Sequence, residues 1–165
     1  MKTKYGQVST RGWPGANGAE PFELRPVNES DAQVVQELAS DGVLVYQPRC
    51  PAGKTALAEF RAGQQPAILG KDRHDEIVGM AWLGPSEGKR AAFGMVVRPG
   101  HNTRELVVPL LRSLVAEARR LRHSELTTCV TPGVPDPISD LREGGLRVVS
   151  AFTTGGVSDV RLALN

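Results

Sequence analysis

The segment RPGHNTRELVVPLL, residues 98 to 111, combines the ingredients of an anion-binding turn. It follows the strand-like run Ala91 to Val97 and leads into one stripe of helical spacing: Leu110, Leu111, Leu114, Val115, Ala118 and Leu121. A helix N-terminus carries unpaired N–H donors and about half a positive charge, so phosphate is the ligand such a junction suits. Phosphate must come close to the backbone, and glycine is the residue that allows it. After Gly100 the stretch has none. Glu105 falls in the first helical turn, where a carboxylate stabilises the helix by roughly 0.3–1 kcal/mol through the same dipole that would attract an anion. Val107 adds β-branched bulk nearby, and Pro109, which fits best in a first turn, predicts a late helix start. Arg98, His101 and Arg104 are the cations the segment offers.

Other chemical signals are poorer. Gly53-Lys54-Thr55 has the ending of a nucleotide-binding loop, but Pro48 stands where that motif needs its first glycine. His74, His101 and His123 have no ligand spacing, and neither do the two cysteines, Cys50 and Cys129, so no metal site is expected. Both cysteines read as reduced thiols of a cytoplasmic protein, Cys129 as a buried strand residue. The formal charge of +2 is too small to imply nucleic acid or a membrane surface. Arg112, Arg119, Arg120 and Arg122 read as a solvated helix face, because no aromatic platform accompanies them. Lys2 and Lys4 precede no apolar run, so no signal peptide is expected, and no segment reaches the roughly 18 apolar residues of a membrane span.

The elements that must position these residues follow from periodicity. Residues 1 to 21 read as a flexible tail with Trp13 as its one candidate anchor, and residues 22 to 165 as a single domain. Phe22 to Val27 reads as an edge strand, and the helix behind Asn28-Glu29-Ser30-Asp31 carries Ala32, Val34, Val35, Leu38 and Ala39. A second helix is expected over Lys54 to Ala62. Pro66 to Lys71 and Ile77 to Leu83 form a hairpin around Asp72 to Glu76, and Ala91 to Val97 follows the turn Gly84 to Gly88. Beyond the main helix come the strand Glu125 to Thr131, a short helix Ile138 to Glu143 stopped by Gly144-Gly145, and a closing hairpin, Leu146 to Phe152 with Val157 to Leu164. The order β-α-α-β-β-β-α-β-α-β-β describes an α/β (α+β) domain. It has a mixed central sheet of about six to seven strands and about four flanking helices.

This order, with "FELRPVNESDAQVVQEL", "DEIVGMAWLG" and "GGLRVVSAFTTGGVSDVRLAL", resembles the GNAT superfamily of acyl-CoA-dependent N-acyltransferases. "DGVLVYQPRCP" followed by a helix is similar to the bacterial protein-lysine acetyltransferase branch. The resemblance implies acetyl-CoA as cofactor and a protein or small-molecule amine as acceptor; the oligomeric state stays open, a homodimer included. It implies a cleft where the strand ending Val96-Val97 splays from the strand beginning at Glu125. By motif position the cofactor-binding residues are Val96, Val97, Asn102, Thr103, Arg104, Glu105, Leu106 and Val107. In the family, glutamate and tyrosine often serve as base and acid. Here Arg90 and Leu141 stand at those positions, Glu87 replaces Arg90 only if the register slips, and the catalytic residues are unassigned. Two functions stay open: acetyl transfer from acetyl-CoA to an amine, or a catalytically silent GNAT-fold domain that binds an effector or partner and needs no cofactor.

Overall fold

The computed structural model describes residues 21–48, 65–130, 137–154 and 157–164. The tail with Trp13, the helix expected over Lys54 to Ala62 and the Gly53-Lys54-Thr55 motif lie outside the described residues. The strands are β1 (Glu23–Pro26), β2 (Val43–Gln47), β3 (Ala67–Lys71), β4 (Ile77–Glu87), β5 (Arg90–Val97), β6 (Glu125–Val130), β7 (Leu146–Thr154) and β8 (Val157–Leu164). The helices among the described residues are α1 (Ala32–Asp41), α2 (Arg104–Arg120) and α3 (Pro137–Glu143), with a 3₁₀ turn at Glu29–Asp31 before α1.

One eight-stranded sheet runs in the order β1-β3-β4-β5-β2-β6-β8-β7. The sheet is mixed, as expected: β5 and β6 are parallel where they touch, and every other pairing is antiparallel. The count of eight strands exceeds the six to seven expected, and three helices are described where four were expected. The additional strand is β2, within DGVLVYQPRCP, where no strand was expected.

Alternation along the strands builds a core on each face. On β5, Ala91, Phe93, Met95 and Val97 join the cluster containing α2 residues Leu106, Leu110, Leu111 and Leu114. Val96 points the other way, into the smaller cluster around Val35 and Leu38 of α1 with Met80 and Trp82. The period of two separates these sets across the pleat. β4 is longer than its alternation suggested: it runs through Pro85 to Glu87, with a register shift between Leu83 and Ser86 that accommodates the proline. Glu87 faces Arg90 across the hairpin end, so the register does not slip toward a base at position 90.

Local chemistry sets the element ends. Asn28 and Asp31 form a capping box, the Asn28 side chain accepting from Ser30 N and Asp31 accepting from Asn28 N at 2.9 Å. Arg25 grips Asp31 through two bonds of 2.8 and 2.7 Å and so ties β1 to the entry of α1. After α3, Gly145 takes φ +98°, which glycine adopts freely, and Gly144 N–H bonds back to Asp140 O at 2.9 Å.

Candidate functional site

The splay between β5 and β6 is the place where the sequence reading put a cofactor. At their first residues the two strands are paired: Arg90 with Glu125, Ala91 with Leu126, Ala92 with Thr127. Beyond that point they part, and β2 lies between them. On one side Val43 faces Val97, Leu44 faces Val96 and Tyr46 faces Met95. On the other, Tyr46 faces Val130 and Gln47 faces Cys129. The Thr128 hydroxyl closes the apex, 2.9 Å from Phe93 O and 2.9 Å from Gln47 O.

Two residues let β2 enter. Gly42, at the turn from α1, has room for no side chain: a Cβ there would stand 2.5 Å from Val96 Cγ2 and against the Leu38 carbonyl. Tyr46 is fully buried, its ring 5.4 Å from that of Phe93. An irregularity between Leu44 and Tyr46 places both Val45 and Tyr46 in the core cluster beneath α2, which strict alternation would forbid. Among the described residues the buried Tyr46 hydroxyl has no hydrogen-bond partner. Burial pushes its pKa up, and the Asp140 carboxylate on α3 pushes it further.

The junction that opens α2 is built differently from a phosphate cradle. Gly100 takes φ +86° and serves a turn in which His101 N–H bonds to Arg98 O at 3.0 Å. The helix begins at Arg104, so Pro109 lies inside it and does not delay its start. Thr103 caps it through backbone geometry alone; Leu106 N–H and Val107 N–H reach Thr103 O at 3.1 and 2.8 Å. Thr103, Arg104 and Glu105 are exposed, Asn102 is half-buried, and Leu106 and Val107 point into the core. Val107 is 1% exposed, so its bulk fills the core and not the approach to the N–H groups.

The two arginines of the segment have acidic or carbonyl partners. Arg98 bonds Ile77 O at 2.8 Å and Glu37 at 3.3 Å. Arg104 reaches across to α3, to Ser139 Oγ at 3.2 Å, Asp140 at 3.5 Å and Glu143. Among the described residues Arg104 is thus paired with two carboxylates of α3, and Arg112 bonds Glu143 O at 3.0 Å.

The positions tied to catalysis are equally committed. Arg90 pairs with Glu125 at 2.6 Å, and Arg161 reaches the same carboxylate at 3.1 Å. Leu141 is completely buried. No tyrosine stands on α3, yet one approaches it from elsewhere in the chain: Tyr46, on a strand that local pattern did not reveal. The signal available in the sequence was the apolar run Val43-Leu44-Val45-Tyr46 after Gly42.

Cys129 corrects an expectation. It is buried on β6, but it is disulfide-bonded and not a reduced thiol, which removes the thiol argument for a cytoplasmic location. Cys50 lies outside the described residues. Among the described residues no group of three or more His, Cys, Asp or Glu is placed to hold a metal, and no helix is long and apolar enough to cross a membrane.

No protein-family model matches the chain, and no curated protein sequence does. Solved structures do. The GNAT domain of PAT from S. lividans superposes with a TM-score of 0.64 at 17% identity, covering 87% of this chain and 90% of its own. This is the GNAT fold. YncA of Salmonella typhimurium, a putative acetyltransferase solved with acetyl-CoA, gives a TM-score of 0.63 at 17% identity over 88% and 95% of the two chains. A GNAT superfamily phosphinothricin acetyltransferase from Sinorhizobium meliloti, in complex with acetyl-CoA, gives 0.63 at 14% identity over 88% and 89%. At these identities the likeness concerns the GNAT architecture, not the chemistry of any site. Among the described residues β2 occupies strand edges of both β5 and β6 within the splay.

Proposed function

We propose that this chain is a catalytically silent GNAT-fold domain that acts by binding an effector or partner. The observation that carries this reading is the double pairing of β2, which takes up backbone groups of both β5 and β6 along the splay. The absence of a base at Arg90 and of an acid at Leu141 supports it further. The test is to incubate the protein with labelled acetyl-CoA and a panel of amines: spermidine, free lysine and lysine-containing peptides. The expected result is no transfer above the uncatalysed rate. Turnover of any acceptor overturns the reading.

One observation favours a second reading, acetyl transfer to an amine such as a protein lysine. The first turn of α2 is exposed at Thr103, Arg104 and Glu105, and no side chain of Thr103 caps its N–H groups. In this reading Val96, Val97, Asn102, Thr103, Arg104, Glu105, Leu106 and Val107 line the cofactor's path, with backbone N–H groups as the anion donors.

A further inference from the structure

We propose that β7 is a pairing edge for a second copy of this chain. The two β7 strands meet antiparallel about a two-fold axis at Ala151 and join both sheets into one. This surface is separate from the splay between β5 and β6, and it serves a silent and an active domain alike.

The two edges of the sheet are unlike. β1 has four residues and ends in Pro26, which has no N–H to offer. Its other end is charged by Glu23, 3.4 Å from Lys71 of β3. Short length, proline and charge are the usual guards of a free edge. β7 has nine residues, no proline, and a single charged side chain, Arg147. Its one strand partner in the sheet is β8, so its far side presents N–H and C=O groups that no described strand takes up. Four large hydrophobic residues are exposed among the described residues, and two of them, Val149 and Phe152, stand on this strand. Phe152 is 73% exposed. An open aromatic on an unguarded edge marks a surface that another chain covers.

The register says which chain. Cross-strand neighbours point to the same side of a sheet. On β8, Asp159 lies opposite Phe152 and Arg161 opposite Ser150, while Val149 is the extra residue at the irregularity between Val148 and Ser150. α1 covers only the other half of this side, against Leu69, Met80, Trp82 and Val96. An axis at Ala151 sets that residue against itself. Phe152 of each copy then faces Ser150 of the other, with the bulged Val149 beside it, and the pleat stays in phase across the junction. Each row reads Asp159 and Phe152 of one copy, then Ser150 and Arg161 of the other. Acid stands at one end of the row, base at the other, and the symmetry repeats the row in reverse. Arg147 falls outside the paired residues, so no like charges are opposed. That complementarity belongs to a second copy of the same edge. With β1 guarded, the contact is isologous and closes at two copies.

The experiment is sedimentation velocity on the full chain over a wide concentration range, with three variants. Wild type should dimerise reversibly. Phe152→Glu should weaken the dimer by about a hundredfold or more, because the axis counts each change twice. Circular dichroism should show it folded, since Phe152 is exposed; if it is not, Val149→Lys takes its place with the same expectation. Ala151→Cys should cross-link the two copies under mild oxidation, whereas Thr153→Cys, which does not meet itself, should give no more cross-link than wild type. A wild type that is monomeric at every concentration overturns the proposal and leaves the edge to an extended segment of a different protein. A dimer indifferent to a charge at Phe152 or Val149 overturns it too, by placing the contact on another face. Cross-linking at Thr153→Cys and not at Ala151→Cys overturns the register. None of these outcomes bears on acetyl transfer, so the silent reading stands or falls on its own assay.

Discussion

The hydroxyl of Thr128 sits 2.9 Å from the carbonyl oxygen of Phe93, across the point where β6 parts from β5. The Thr128 hydroxyl oxygen also lies 2.9 Å from Gln47 O on β2. One side chain, 1% exposed, thus holds three strands at the apex of the splay. Thr128→Val keeps the shape and removes the only side-chain donor. The two carbonyls lose the single proton they share, and the expected loss is about 1–3 kcal/mol in urea denaturation. Thr128→Ser should recover most of it. Equal stability of Val and Thr at this position would show that the hydroxyl does not hold the apex.

Glu105 and Val107 lie two residues apart in the first turn of α2 and should behave oppositely. Val107 is core, so Val107→Gly opens a cavity and loosens the helix; a loss of about 2–4 kcal/mol is expected. Glu105 is exposed in the first turn, and Glu105→Ala should cost less than about 1 kcal/mol. Chemical denaturation of the two single variants separates them. Similar small losses would place Val107 outside the core.

Asp31 provides a pH signature. Hydrogen bonding from Arg25 is the main force holding its carboxyl below the usual range, assisted by Asn28 N–H and opposed by burial. A folded-state value below the unfolded one, about 3.9, means the stabilisation is present above that pH and is lost as pH falls through the folded value. The stability difference between wild type and Asp31→Asn should therefore be largest near neutrality and shrink below about pH 4. Denaturation curves across the acid range measure it, and a difference independent of pH would remove the ion pair from the account.

Cys129 is disulfide-bonded, and no free cysteine occurs among the described residues. It faces Gln47, the last residue of β2. Reduction should destabilise the fold by about 2–4 kcal/mol, the usual contribution of a native disulfide. Melting curves with and without a phosphine reductant test this, and superimposable curves would contradict it.

Much of this architecture was written locally. The alternation of Ile77 to Leu83, the helical stripe from Leu110 to Ala118 and the stop at Gly144-Gly145 each depend on neighbours within a few residues, so their periods are readable without the fold. The positions of Arg90, Glu105 and Leu141 were likewise visible as departures from the GNAT pattern. Tertiary structure alone decided the fate of Val43 to Gln47. These five residues have no clean alternation, and their partners on β5 and β6 lie about 50 and 80 residues away, so only nonlocal pairing makes them a strand. The same holds for Val107, whose inward direction depends on how α2 lies against the sheet. Composition along the chain can name the residues at a cleft. Which of them face it, and what already fills it, is settled by contacts between segments that are distant in sequence.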